Sequence, residues 1–292
     1  MKAAIDALQA AFGDPDRPEA PLRSRIETGS GELLLMPAVG EQGAGVKLVT
    51  VNPSNPARGL PLIHALYALF SPDALEPLAV FEGGALTGLR TAAVSGLATR
   101  YLSMPESRTL VIFGAGVQAS THLESMRAER PIEKVWVVSR TEERARQLAA
   151  RAEEAGLVAD VADPAAVAEA DLVCTCTTSA EPLFEGSRLR AGAHVNAVGS
   201  YRPDTRELDT ETVRRGRVVV ETRGAALAEA GDLLIPIEEG AITEADVAAD
   251  LSEVVRGARV RTGPNDVTVF KSVGVAFEDL AVARAAYDRM AP

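Results

Sequence analysis

The sequence predicts an α/β protein: a doubly wound domain of alternating strands and helices, inserted in a second domain built on a sheet of hairpins. Three observations predict it. From residue 108 onward, short apolar runs alternate with helical stretches, the texture of a parallel sheet covered on both faces. From about 22 to 82 the segments are strand-like and separated by turn chemistry, which favours an antiparallel or mixed sheet. The chain has 292 residues, 47% of them hydrophobic and 24% charged, more than one small core needs.

The elements follow in order. "MKAAIDALQAAFG" has an amphipathic helical pattern with no secretory h-region. "RSRIE", "ELLLMPA", "GVKLVTVN", "PLIHALYALF" and "PLAVFEG" are strands, divided by "TGSG", "NPSNPARG" and "SPDALEP". Residues 86–102, "LTGLRTAAVSGLATRYL", form a helix of small residues that can pack closely on a neighbour. "TLVIF" then leads through a Gly turn into the helix "VQASTHLESMRAE", and "KVWVVS" precedes "TEERARQLAARAEEAG", with Gly156 as the residue after its C-cap. Asp163 caps a turn that opens on Pro164. "DLVCTCTT", "AHVNAVG" and "RVVVE" are buried strands, and "ITEADVAADLSEVVRG" reads as one helix capped by Thr243 with Asp246 in the capping-box place. After "DVTVFKSVG" the final helix, "VAFEDLAVARAAYDRM", returns to the first domain. The boundaries are placed at 1–107 plus 272–292 and at 108–271.

Charge and cysteine usage narrow the function. A net charge of −11 argues against a nucleic-acid or anionic-membrane surface, which needs a basic face. The apolar run around 60–70 is too short to span a bilayer, and the protein is expected in the cytoplasm. Cys174 and Cys176, the only two cysteines, stand too close along a strand to bridge comfortably and lack partners for a zinc site, so they are structural. His64, His122 and His194 are scattered, with no carboxylate at ligand spacing, and are read as structural. No GxSxG elbow supports a serine nucleophile.

The sharpest motif is "TLVIFGAGVQAS". Gly114 permits a tight turn, Gly116 lets backbone approach a pyrophosphate, and the small Ala119 allows the helix to pack on its strand. This predicts a Rossmann-type dinucleotide site. At the end of the next strand, where an acid would hold the ribose hydroxyls of NAD, stand Ser139, Arg140 and Thr141. A guanidinium flanked by hydroxyls suits a 2′-phosphate, so NADP(H) is preferred over NAD(H). Ser139 and Thr141 also suit a helix cap, with Glu142 and Glu143 in the first turn; both roles are compatible.

Candidate substrate residues are basic groups in apolar frames: Lys47 in "GVKLVTV", Arg90 in "LTGLRTAAVSG" and Arg23 in "PLRSRIE". Paired arginines suit a carboxylate, and a lysine beside them can give a proton. The alternative is that these side chains reach the surface or pair with Glu82 or Glu32.

"GVKLVTVNPSNPARGLP", "LTGLRTAA", "VIFGAGVQA", "VNAVGSYRPDTRELD" and "VFKSVGVAFEDLA", in this order over nearly the whole chain, resemble the ornithine cyclodeaminase/μ-crystallin family. The resemblance implies a Rossmann domain and a split, mixed-sheet domain through which two chains dimerise. It implies Lys47 as the active-site lysine and Arg90 and Arg23 as carboxylate ligands. Met36 and Gly274 would line the pocket. Gly114, Gly116, Val117 and Gln118 fall on the pyrophosphate turn, Thr177, Val198 and Gly199 beside the cofactor, Ser272 near the nicotinamide, and Thr91 toward cofactor or substrate. Against the family pattern the chain starts late, without a first strand that relatives carry.

Two departures bear on the reaction. Cyclodeaminases carry an Asp where this chain has Tyr201, and a Glu where it has Leu34. Losing both acids removes the partners of a cationic diamine. The resemblance therefore points to a ketimine reductase that takes Δ1-pyrroline-2-carboxylate or Δ1-piperideine-2-carboxylate to L-proline or L-pipecolate. The alternatives are dehydrogenation of alanine or another amino acid, cyclodeamination of ornithine, and a non-enzymatic NADPH-binding protein.

Overall fold

A computed structural model describes residues 1–17 and 20–290. The chain runs α1 (Lys2–Gly13), β1 (Ser24–Thr28), β2 (Gly31–Gly40), β3 (Gly43–Val51), β4 (Ile63–Phe70), β5 (Pro77–Glu82) and α2 (Gly83–Leu102). It continues with β6 (Thr109–Phe113), α3 (Val117–Glu129), β7 (Lys134–Val138), α4 (Glu142–Glu154), β8 (Val158–Val161), β9 (Leu172–Thr175) and β10 (His194–Ala197). Then follow α5 (Thr210–Arg215), β11 (Arg217–Val220), α6 (Arg223–Glu229), α7 (Gly231–Glu238), β12 (Val247–Asp250), α8 (Leu251–Val255), β13 (Thr268–Lys271) and α9 (Ala276–Met290). Two compact units emerge, one of residues 2–90 with the chain from Val275 onward, the other of residues 91–274. The divisions fall inside α2 and just before α9, against the sequence-based placement at 107/108 and 271/272.

The first unit is a five-stranded sheet in the order β1-β2-β3-β4-β5, with every neighbouring pair antiparallel. Of the antiparallel and mixed arrangements expected for it, the sheet takes the purely antiparallel one: each connection is a hairpin, and no crossover is available to make a parallel pair. Burial alternates along β2 and β3, because helix α9 covers one face. Phe12 of α1 meets Phe277 of α9 edge-on at 4.8 Å between ring centroids, closing the apolar seam between these helices. Where β5 turns into α2, Glu82 accepts hydrogen bonds from the amides of Gly84 and Ala85 and so caps the helix.

The second unit is an eight-stranded parallel sheet in the order β12-β11-β13-β10-β9-β6-β7-β8. Strands β9, β10 and β13 are buried along their whole length, as continuous apolar runs require. The order reverses between β6 and β9, the switch point at which such sheets bind ligands beyond their carboxyl ends. The stretch anticipated as one helix over residues 242–257 instead holds a short 3-10 turn, strand β12 and helix α8. It carries two capping boxes, Thr243 with Asp246 and Asp250 with Glu253, so a second helix start interrupts the first. The residues between them pair with β11.

Candidate active site

The residues expected at a cofactor lie mainly at strand ends of the second unit. Gly114 has φ of +104°, and a Cβ there would lie 2.6 Å from the Cys176 carbonyl oxygen, so only glycine makes this turn. Its amide donates to the Val138 carbonyl at 2.8 Å, binding the turn to the end of β7. Gly116 is the N-cap of α3 without a capping side chain, and a Cβ built on it meets nothing within 4 Å. Val117 is exposed, and the buried Oε1 of Gln118 has no hydrogen-bond partner. A helix start uncapped by its own chain, with open space above it, fits a pyrophosphate. Ala119 is fully buried against the core, the third small residue of the motif.

At the end of β7, Ser139 Oγ accepts from the Thr141 amide at 3.3 Å, while Thr141, the N-cap of α4, makes no side-chain cap. Arg140 is exposed beside them. Beyond β9 and β10, Thr177 and Gly199 are tied by Glu207, which lies within "VNAVGSYRPDTRELD" but was given no role from the sequence. Its carboxylate accepts from Thr175 Oγ1 at 2.7 Å, from the Thr177 amide at 2.8 Å and hydroxyl at 2.7 Å, and from the Gly199 amide at 2.7 Å. Burial, then the neighbouring Asp232, push its pKa above the usual carboxylate range. Val198 continues the ladder by donating to the Thr175 carbonyl. Ser272 and Gly274, after β13, are held by Glu221 in the same manner. Thr91 is buried in α2, the first residue of this unit.

Four of the residues expected at the substrate lie in the first unit. Met36, Lys47 and Tyr67 stand opposite one another on β2, β3 and β4, and all three are buried. Extending the β1–β2 register by one residue puts Arg23 opposite Met36. Gly45, two residues before Lys47 on the same face, leaves the space that the Tyr67 hydroxyl fills; a Cβ would lie 1.9 Å from it. Helix α9 supplies the counter-charges. Lys47 Nζ donates to both oxygens of Asp279, at 2.9 and 2.8 Å. Arg90 donates to Glu278 at 2.9 Å and lies 3.3 Å from Asp279. Burial, then the Arg90 charge, lower the Lys47 pKa to about 8, although Asp279 pulls it upward. Burial raises the Tyr67 hydroxyl pKa well above its ordinary value.

Lys47 and Arg90 are buried with two carboxylates, and the half-buried Arg23 adds slightly to the lowering of the Lys47 pKa. A buried guanidinium suits a carboxylate ligand, and the lysine beside it is able to release a proton near neutral pH. The structure places Arg23, Met36, Lys47 and Arg90 of the expected substrate set in one unit and Gly274, the fifth member, in the other. The residues expected at a cofactor stand in that other unit, at the carboxyl ends of β6, β7, β9, β10 and β13, except Thr91, which lies in α2. The pairing of Lys47 and Arg90 with Glu82 or Glu32 is replaced by pairing with α9; Glu32 takes Arg25 instead. Their acids lie 188 and 232 residues away along the chain, in "FED", a charged pair inside an apolar helix that was the only local signal.

His122 and His194 are buried and bonded to Ser95, Thr268 and Asn196, and burial lowers their pKa values to about 4 and about 3. They pack the second unit. Burial raises the Cys174 thiol pKa to about 12 and pushes that of Cys176 up as well, and both cysteines are unbridged. No helix among the described residues is long and apolar enough to cross a membrane.

Comparison with known proteins bears on this geometry. The ornithine cyclodeaminase/mu-crystallin family profile matches residues 1–292. A Delta(1)-pyrroline-2-carboxylate reductase of Bacillus cereus is 39% identical, with 98% of this chain and 90% of that protein aligned. The ketimine reductase mu-crystallin of Rattus norvegicus is 40% identical over 88% of this chain and 80% of its own. The solved structure of Thermococcus litoralis Delta(1)-pyrroline-2-carboxylate reductase, in complex with NADH and L-proline, superposes with a TM-score of 0.95 at 36% identity, covering 99% of this chain and 92% of that one.

Proposed function

The chain belongs to the ornithine cyclodeaminase/mu-crystallin family, and from that premise we propose that it is a nicotinamide-dependent ketimine reductase acting on a small cyclic 2-imino acid. Δ1-Pyrroline-2-carboxylate or Δ1-piperideine-2-carboxylate becomes L-proline or L-pipecolate. The observation that carries this is the buried pair of Lys47 and Arg90, held by Asp279 and Glu278 of α9, a lysine of lowered pKa beside a guanidinium. Relatives of similar sequence named for this reduction support it.

Arg90 and Arg23 hold the substrate carboxylate, Met36 lines the pocket, and Gly274 is a further residue of the substrate set. Lys47, its pKa lowered to about 8, donates a proton to the imine nitrogen, so that the carbon becomes more electrophilic. Asp279 keeps the Lys47 amine in place, and Glu278 does the same for the Arg90 guanidinium. The reduced nicotinamide supplies the hydride that completes the C–H bond. Gly114, Gly116, Val117 and Gln118 take the pyrophosphate, Thr91, Thr177, Val198, Gly199 and Ser272 line the cofactor's path, and Ser139, Arg140 and Thr141 receive a 2′-phosphate, making NADPH the preferred donor.

Leu34 is buried in β2 where a cyclodeaminase would present an acid, which disfavours a diamine substrate. Two copies of the chain pair through the open sheet face that carries Ile26, Leu48, Leu66 and Val80, all exposed. A cytoplasmic setting belongs to the same proposal and suits the two unbridged thiols. The test is cofactor absorbance during incubation with Δ1-pyrroline-2-carboxylate, with NADPH and NADH side by side and pyruvate plus ammonium as control. Oxidation with the imine supports the proposal; oxidation with pyruvate and ammonium alone replaces it by amino acid dehydrogenation.

A further inference from the structure

At the carboxyl ends of its strands the second unit buries three carboxylates, Glu207, Glu221 and Asp232, with one amine, Lys271. Two of the acids are accounted for by their neighbours. Asp232 takes Lys271 Nζ at 2.7 Å and the amides of Glu207 and Leu208 at 2.7 and 2.8 Å. Glu207 spans Thr175, Thr177 and Gly199, and the pressure of burial on it is toward the neutral acid.

Glu221 differs. It accepts from neutral donors: Ser272 Oγ at 2.5 Å and the amides of Val273 and Gly274 at 3.0 and 2.8 Å. It is 1% exposed and follows β11, the strand beside β13. In a doubly wound sheet a dinucleotide crosses the switch point with its adenosine on one side and its second nucleoside on the other. Here the adenosine side is β7, where Ser139 to Thr141 stand, so the nicotinamide side is β9, β10 and β13. Residues 272–274, which Glu221 holds, leave the end of β13 on that side. Gly274 adopts φ of +82° there, a conformation the two carboxylate–amide bonds help to impose.

We propose that Glu221 is a positioning residue that also acts electrostatically. It shapes the 272–274 segment and places a buried negative charge that favours the cationic, oxidised nicotinamide over the neutral, reduced one. A ring that turns positive as it gives up hydride is helped by such a charge, fixed before the reaction begins. This rests on the reductase reading above. It adds a residue that neither the sequence motifs nor the substrate cluster includes.

The test is binding, without substrate. Dissociation constants for NADP+ and NADPH are measured by calorimetry on the wild-type protein and on Glu221→Gln. The expected result is that the variant weakens NADP+ about tenfold or more relative to NADPH, the scale of one unit-charge interaction within a protein. Equal weakening of both forms, with their ratio within twofold of wild type, would overturn the assignment, since a structural role alone treats both alike. Should Glu221→Gln fail to fold, Glu221→Gln with Ser272→Ala, which removes the hydroxyl left without its acceptor, carries the same criterion. If the wild-type protein binds neither form, the reductase reading itself fails and the assignment falls with it.

Discussion

Lys47 is costly to bury alone, and Asp279 offsets that cost only by being buried as well, so the pair is retained for what it does rather than for stability. Arg90→Leu removes a carboxylate ligand and should lower kcat/KM by tens- to thousands-fold, taking about 2–4 kcal/mol for lost charged hydrogen bonds; steady-state kinetics within twofold of wild type would contradict the role given to it. The Lys47 amine is protonated below about pH 8 and loses its proton above it. As a proton donor it therefore works below that pH, and kcat/KM for imine reduction should fall as pH rises through about 8. In Lys47→Arg, which stays charged throughout, that limb should disappear from the pH–rate profile. At this scale the sequence was legible where an isolated base stood in an apolar frame, as with Lys47 and Arg90. It was not legible for Glu278, Asp279, Glu207 and Glu221, because an acid shows what it does only through donors brought to it from remote segments.

Helix α9 closes the first unit by covering its sheet and by carrying the acids that hold Lys47 and Arg90. Asp279→Ala leaves two buried cations undercompensated and should cost about 3–5 kcal/mol of unfolding free energy, read from the shift in denaturant midpoint. On the proposed reading the join of β7 and α4 sets the cofactor choice. Arg140→Asp, which restores an acid at the strand end, should turn the ratio of kcat/KM for NADPH over NADH toward NADH by tenfold or more, on the order of one lost charged contact and one added repulsion. Most elements were visible in the sequence, since "TLVIFGAG" and "KVWVVS" bear their own strand and turn signals. Strand β12 was not: the small residues of "VAAD" suit a helix as well as an edge strand, and pairing with β11 decides between them. The antiparallel character of the first sheet was visible only as an alternative, because loop lengths exclude crossovers only once each pairing is known.

On the proposed reading the chemistry divides between the units: one holds Lys47, Arg90 and Arg23 with a sheet backed by α9, the other holds the glycine turn at its switch point. The open face of the first sheet, apolar at Ile26, Leu48, Leu66 and Val80, gives the proposed pairing of two chains a direct test. Leu66→Glu with Val80→Glu should halve the mass seen by light scattering while the chain stays folded; an unchanged mass would move the interface elsewhere. The most direct measurement of the central claim uses NADPH carrying deuterium at the transferred position of its nicotinamide, incubated with Δ1-pyrroline-2-carboxylate, with the product read by NMR. The account predicts L-proline with a single deuterium on its α-carbon, formed in step with the NADPH consumed. Proline without that deuterium, or unchanged imine beside intact NADPH, would contradict it.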